Sequence, residues 1–232
     1  MSKYYDTEGN EIDQDRFIKF YSKCYYLDNS SFVEKGIEKL MSSDKISPDD
    51  VMLILRWKMG RIDQKKSQDS QQICLRNMDN RFTTYPGRGK EINAEKLCSY
   101  VSNNLTGLRG ERNAQIILNS LMMNSSKNIG TVYLITLLYF ITNGEFPIYD
   151  RYASIAVNAI LNNTRLGSVI KSKELPSKNE NGFKQLLLEE KKVSLYLEYI
   201  NKLTVLFGDR YKTNRDIDRA LWVYGHCFRD KE

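Results

Sequence analysis

Apolar residues recur along this chain every three or four positions rather than in alternation, and that period predicts helices almost throughout. Phe17, Phe20, Tyr21 and Cys24 fall on one helical face, and Phe32, Ile37, Leu40 and Met41 on another. Ser47-Pro48-Asp49-Asp50 reads as a helix start: Ser47 caps, Pro48 suits the first turn, and the acids complement the macrodipole. Val51, Ile54 and Leu55 form the apolar face of that helix, which ends near Trp57-Lys58-Met59-Gly60. Asn93 is placed to cap a helix carrying Leu97, Tyr100 and Val101. Helices are then expected from Arg112 to Met123, from Thr131 onward, and from Arg151 to Leu161. Two more are expected in the C-terminal third, with faces Leu187-Glu190-Ser194-Leu197 and Ile217-Leu221-Tyr224. No stretch of clean alternation competes as a strand, so the predicted class is all-α.

Two segments break the pattern. Residues 65–91 are rich in Gln, Ser, Asn and Arg, and residues 162–182 carry Ser, Asn and Lys with few large apolar side chains. Irregular stretches this long are uncommon in compact domains unless they serve a function or lack order.

Composition narrows the classes of function. At 232 residues the chain suffices for one large domain or two lobes. With 41% hydrophobic and 28% charged residues it has a globular composition. A formal charge of +6 mildly favours a polyanionic partner. Cys24, Cys74, Cys98 and Cys227 lack the spacing of a zinc or iron–sulfur site, and His226 is the only histidine. A His-rich metal centre and a catalytic Cys–His pair are thereby disfavoured, and the cysteines are expected to be reduced, as in a cytoplasmic protein. The opening residues Met1 to Asp6 are polar, so no signal peptide is expected. The longest apolar run, Val132 to Ile141, is too short to span a bilayer, so no membrane association is expected.

The most suggestive chemistry lies between Lys127 and Tyr152. Asn128-Ile129-Gly130-Thr131 can form the turn of a helix–hairpin–helix, near 124–131, with Ile129 tucked beneath it. Such a turn points backbone N–H groups, and the positive end of the second helix, at a phosphate. The turn is expected to need residues that tolerate positive φ, as Asn and Gly do. A plain turn between packed helices would use the same residues. Asp150 then follows Pro147 and precedes an Ala- and Ile-rich helix, near its N-cap. It is read either as a simple cap or as a carboxylate facing a cleft beside the hairpin.

Asn128-Ile129-Gly130-Thr131-Val132-Tyr133, the apolar residues Leu134 to Ile141, and Phe146-Pro147-Ile148-Tyr149-Asp150 together resemble the helix–hairpin–helix DNA glycosylase superfamily. The similarity is greatest to its 8-oxoguanine DNA glycosylase-like bacterial branch. The family pattern is a Gly–apolar–Gly hairpin, a buried helix, and an apolar-Pro-apolar stretch ending in an aspartate. Leu55-Arg56-Trp57-Lys58 and Asp218-Arg219-Ala220-Leu221-Trp222 resemble the branch less specifically. The resemblance implies that Asp150 stabilises the cationic sugar formed as an N-glycosidic bond breaks, with the target base extruded into a pocket. It further implies no metal and no organic cofactor.

The departures are informative. The lysine nucleophile of bifunctional members is replaced by Val132, the first hairpin glycine by Asn128, and a small residue of the second helix by Leu134. The implied enzyme is therefore monofunctional and leaves an abasic site. Lys127, Asn128, Gly130, Thr131 and Arg151 are the expected DNA contacts, and Tyr149 and Tyr152 the candidates for a base pocket.

Other constellations are weaker. Arg56, Lys58, Arg61, Lys65 and Lys66 suit phosphate contact or a solvated helix end equally. Pro86-Gly87-Arg88-Gly89-Lys90 lacks the Walker pattern and reads as a turn. Most of the 15 tyrosines, with Trp57 and Trp222, are expected in the core.

The resulting expectation is a monomeric, two-lobed helical protein. One lobe spans about 33–143; the other spans about 1–32 plus 144–232 and carries Asp150. Its partner would be DNA bearing a damaged or modified base, for repair or phage defence. A non-catalytic DNA or modified-nucleotide binding module of the same fold is the main alternative, and a protein-interaction or toxin-type helical domain a weaker one.

Overall fold

The computed structural model describes residues 2–25, 31–76, 82–83, 92–166, 169–170 and 183–230. Helices dominate these residues. In chain order they are α1 (Gln14–Tyr25), α2 (Ser31–Met41), α3 (Pro48–Lys58), α4 (Gln64–Ser70), α5 (Glu95–Gly110) and α6 (Ala114–Met123). There follow α7 (Thr131–Ile141), α8 (Arg151–Leu161), α9 (Phe183–Phe207), α10 (Arg210–Thr213) and α11 (Arg215–His226). The described strands are two-residue pairings only. No helix among the described residues is long and apolar enough to cross a membrane.

Local chemistry accounts for the boundaries. At α3, Ser47 Oγ accepts the Asp50 N–H at 3.2 Å while Asp50 Oδ2 accepts the Ser47 N–H at 2.8 Å, a reciprocal capping box. Asn93 lies one residue outside the cap of α5, yet its Oδ1 still accepts the Glu95 N–H at 2.8 Å. Asn113 Oδ1 starts α6 by accepting the Gln115 N–H at 2.9 Å. Helix α7 stops where Asn143 and Gly144 adopt φ values of 54° and 81° and the Gly144 N–H turns back to the Tyr139 carbonyl at 2.9 Å. Glycine reaches that left-handed region without a steric penalty.

Some elements depart from the sequence pattern. Residues 64–70, inside a stretch expected to be irregular, form α4, because the Asp63 side chain caps it by accepting the Lys66 N–H at 2.9 Å. The expected face of α9 is displaced: Ser194 is exposed, whereas Val193, Tyr196, Tyr199 and Leu203 are buried. Phe20, placed on the apolar face of α1, is 40% exposed. The segment Pro86 to Lys90, most of 162–182, and the side chains of Leu187 and Glu190 lie outside the described residues.

The chain divides into two compact units, residues 29–146 and residues 1–28 with 147–232. In the first, α7 is the central element and packs on α2, α3, α5 and α6. Every residue from Leu134 to Ile141 is buried, which explains why its sequence lacks a polar stripe. Trp57 meets Phe140 edge-on at 5.5 Å. Arg109 gathers helix ends: its guanidinium donates to the carbonyls of Ile141 (2.9 Å), Ser43 (2.5 Å) and Met41 (3.1 Å).

In the other unit, α11 packs on α1 and α8, while α9 packs on α8 and α10. Phe17, Tyr21 and Tyr224 form its aromatic centre, each pair with ring centroids 5.0 Å apart. The Tyr21 hydroxyl donates to the Tyr5 carbonyl at 3.1 Å, satisfying the one polar atom of a side chain that is 1% exposed.

Candidate functional site

Asp150 is the N-cap of α8. Its backbone is extended, at φ −135° and ψ 148°, and Oδ1 accepts the Tyr152 N–H at 2.9 Å. The residue is half-buried, so its carboxylate is partly shielded from water without being sealed in the core. An anionic cap is favoured there by the helix dipole.

The segment leading to Asp150 is held from α9. Pro147, Ile148 and Tyr149 are all buried. The Tyr196 hydroxyl donates to the Pro147 carbonyl at 2.7 Å, and the Tyr149 ring meets Tyr199 edge-on at 5.1 Å. Burial, the neighbouring Tyr149 and the Asp150 charge push the Tyr199 hydroxyl well above the usual phenol range, while Arg215 opposes them. A phenol so placed keeps its proton and can act only as a neutral donor or acceptor. Below this turn a cavity of about 10 Å³ is walled by Tyr149, Ser154, Asn158, Tyr199 and Lys202.

On the α11 side, Tyr152 stacks on His226 with centroids 3.4 Å apart and planes 23° apart. Trp222 packs against the same imidazole at 4.0 Å, and His226 Nδ1 is 2.8 Å from the Trp222 carbonyl oxygen. Tyr25 reaches Trp222 edge-on at 5.5 Å. Trp222, expected in the core, is only half-buried, and His226 is exposed. Asp150 thus begins a helix whose first turn places Tyr152 at the end of an aromatic row completed by His226 and Trp222 of α11.

The residues singled out from sequence fall into two groups. Tyr149, Asp150, Arg151 and Tyr152 belong to the unit built on α11. Tyr149 is buried against α9, and Arg151 and Tyr152 are half-buried. Lys127, Asn128, Gly130 and Thr131 belong to the unit built on α7. Lys127 and Asn128 are exposed, Ile129 is buried as the hairpin pattern predicts, and Thr131 is 2% exposed. Gly130 is the N-cap of α7 and offers no side-chain cap, so the helix start depends on backbone geometry alone.

The expected reason for Asn128 and Gly130 does not hold. Gly130 has φ −68°, and Asn128 is not among the described residues with positive φ. A Cβ at Gly130 would make only ordinary contact with the Tyr133 ring, at 3.7 Å. The turn closes with the Ile129 N–H on the Ser126 carbonyl at 3.0 Å and the Tyr133 N–H on the Gly130 carbonyl at 2.9 Å. Neither bond needs a left-handed residue.

Of the basic cluster, Lys65 and Lys66 are exposed, whereas Arg56, Lys58 and Arg61 are half-buried. Burial lowers the pKa of Arg56, opposed by Asp49, which marks it as a packed side chain. The described residues contain no group of three or more His, Cys, Asp or Glu side chains arranged to hold a metal.

Sequence reasoning missed Tyr196, Tyr199, Arg215 and the role of His226. The tyrosines were findable, because Val193, Tyr196, Tyr199 and Leu203 repeat at helical spacing. The pairing of His226 with Tyr152 joins two distant helices and has no local signature. Comparisons with protein-family models, curated proteins and solved structures find no match to this chain.

Proposed function

We propose that this protein is a monofunctional DNA glycosylase. It hydrolyses the N-glycosidic bond of a damaged or modified base and leaves an abasic site. The observation that carries the reading is Asp150: a half-buried carboxylate at a helix N-cap, on a segment held by Tyr196 and Tyr199 of α9. A carboxylate so constrained can stabilise positive charge developing on a sugar ring without first reorganising.

In the proposed reaction the bond between C1′ and the base nitrogen breaks. The electron pair leaves with the base, and the sugar takes on oxocarbenium character facing the Asp150 carboxylate. Water adds to C1′ and gives up a proton, and the departing base is protonated in turn. Val132 stands where bifunctional relatives of the resembled family carry lysine, so no Schiff base forms and the strand is not cut. The target nucleotide must leave the stack to present C1′. Exposed Lys127 and Asn128, with the uncapped start of α7, supply phosphate contacts; Arg151 supplies another beside Asp150. Tyr149 and Tyr152 are the nearest aromatic groups in sequence to that carboxylate and the proposed pocket residues.

A second reading draws on the same carboxylate. Asp150 Oδ1 already caps α8, and a cap needs no chemistry; a DNA or modified-nucleotide binding module would preserve it equally. The discriminating experiment is a screen of genomic DNAs carrying different natural base modifications, scored by released base and alkali-labile sites. Wild type should release a base and Asp150→Asn should not, while both bind DNA with an affinity that falls as salt rises. Salt-dependent binding without base release from any substrate would establish the binding module instead. Binding that is absent, or indifferent to salt, would sink both.

A further inference from the structure

Helix α9 presents two buried tyrosines, three residues apart, to the segment that ends at Asp150. One is accounted for, since the Tyr196 hydroxyl donates to the Pro147 carbonyl at 2.7 Å. The other is not. Tyr199 is 3% exposed, its ring lies against Tyr149, and its hydroxyl has no hydrogen-bond partner among the described residues. A buried hydroxyl without a partner has lost its water and regained nothing, so phenylalanine would fill the same space with less penalty. Packing alone therefore leaves the oxygen unexplained. The charged groups that act on it are Asp150 and Arg215, both in the same compact unit.

We propose that Tyr199 is a positioning residue for Asp150: its buried O–H is a reserve donor that closes onto the carboxylate when DNA is bound and fixes its orientation towards the sugar. This rests on the glycosylase reading of Asp150. Hydrogen bonds of this kind are commonly long in a free enzyme and tighten only in the substrate complex. Tyr149, immediately before Asp150 and in ring contact with Tyr199, links the two mechanically. A preorganised donor at the charge-stabilising group would raise the rate of bond cleavage while leaving DNA affinity alone.

The test compares wild type, Tyr199→Phe, Asp150→Asn and the double variant. Tyr199→Phe should unfold at or above the wild-type temperature and bind DNA with an unchanged Kd. It should also release base at least about tenfold more slowly in single-turnover assays. In the Asp150→Asn background the same change should have no further effect on rate. A wild-type release rate in Tyr199→Phe overturns the proposal, as does a drop in melting temperature large enough to explain the slower rate. If wild type releases no base from any DNA, the glycosylase reading falls, and the relationship between hydroxyl and carboxylate is then read from melting temperatures with plain duplex bound. Additive effects of the two substitutions there overturn the positioning role, and non-additive effects support it.

Discussion

Gly225 of α11 lies flat against the backbone of Tyr152 in the first turn of α8. A Cβ at that position would overlap the Tyr152 carbonyl and come within 2.9 Å of its Cα. Backbone cannot yield as a flexible side chain does, so only glycine permits this approach. Gly225→Ala should destabilise the protein by about 1–3 kcal/mol or more, as overpacking does, measured by urea denaturation. Because the Tyr152 N–H holds Asp150, base release should fall even in the fraction that remains folded. A stable, fully active Gly225→Ala protein would contradict this packing.

Asp150 combines a cap with the proposed chemistry, and two substitutions separate them. Asparagine keeps an oxygen that can accept the Tyr152 N–H, so Asp150→Asn should melt near the wild-type temperature while losing base release. Asp150→Ala loses the cap as well and should lose roughly 0.5–2 kcal/mol of stability. Calorimetry beside a base-release assay would show the two effects dissociate in asparagine and coincide in alanine.

Tyr196→Phe removes the donor to the Pro147 carbonyl and leaves that acceptor buried without the bond. The expected penalty is about 1–3 kcal/mol, from the unsatisfied carbonyl rather than from lost volume. The neighbouring Tyr199→Phe should show no such loss. That opposition between two tyrosines three residues apart is readable in thermal melts alone.

Arg109 joins three segments of the α7 unit by donating to carbonyls at the ends of α2 and α7 and at Ser43. Arg109→Met preserves the aliphatic stem but strands those acceptors, and should cost about 3 kcal/mol. Hydrogen exchange should increase first in the last turns of α2 and α7, where the bonds are lost.

Stability should decline on the alkaline side. Burial raises the hydroxyls of Tyr21, Tyr196, Tyr199 and Tyr224, and pushes the Cys98 thiol up to about 11 from 9.0. With folded values above unfolded ones, the unfolded chain loses these protons first as pH rises. Their contribution is therefore complete below about pH 9 and is lost as pH climbs through the folded values. Melting temperature should fall above pH 9, with the tyrosinate absorbance of these four buried hydroxyls appearing only on unfolding.

Much of this protein was legible in local sequence. The capping box at Ser47–Asp50, the bounds of α7 and α8, and the capping position of Asp150 all follow from periodicity and cap chemistry within a few residues. Their physical causes act over one or two helical turns, so the chain states them directly. The turn at Asn128–Gly130 was placed correctly, but for a backbone conformation it does not adopt, because Asn and Gly permit positive φ without requiring it. Only tertiary structure decided what surrounds Asp150. Val193, Tyr196 and Tyr199 face inward, rather than the predicted Ser194 face, because helix α9 turns whichever stripe its neighbours can bury. Likewise, Gly225 becomes indispensable and His226 stacks on Tyr152 because α11 and α8, distant in sequence, approach at backbone contact. Periodicity along one helix carries no record of the helix that packs against it.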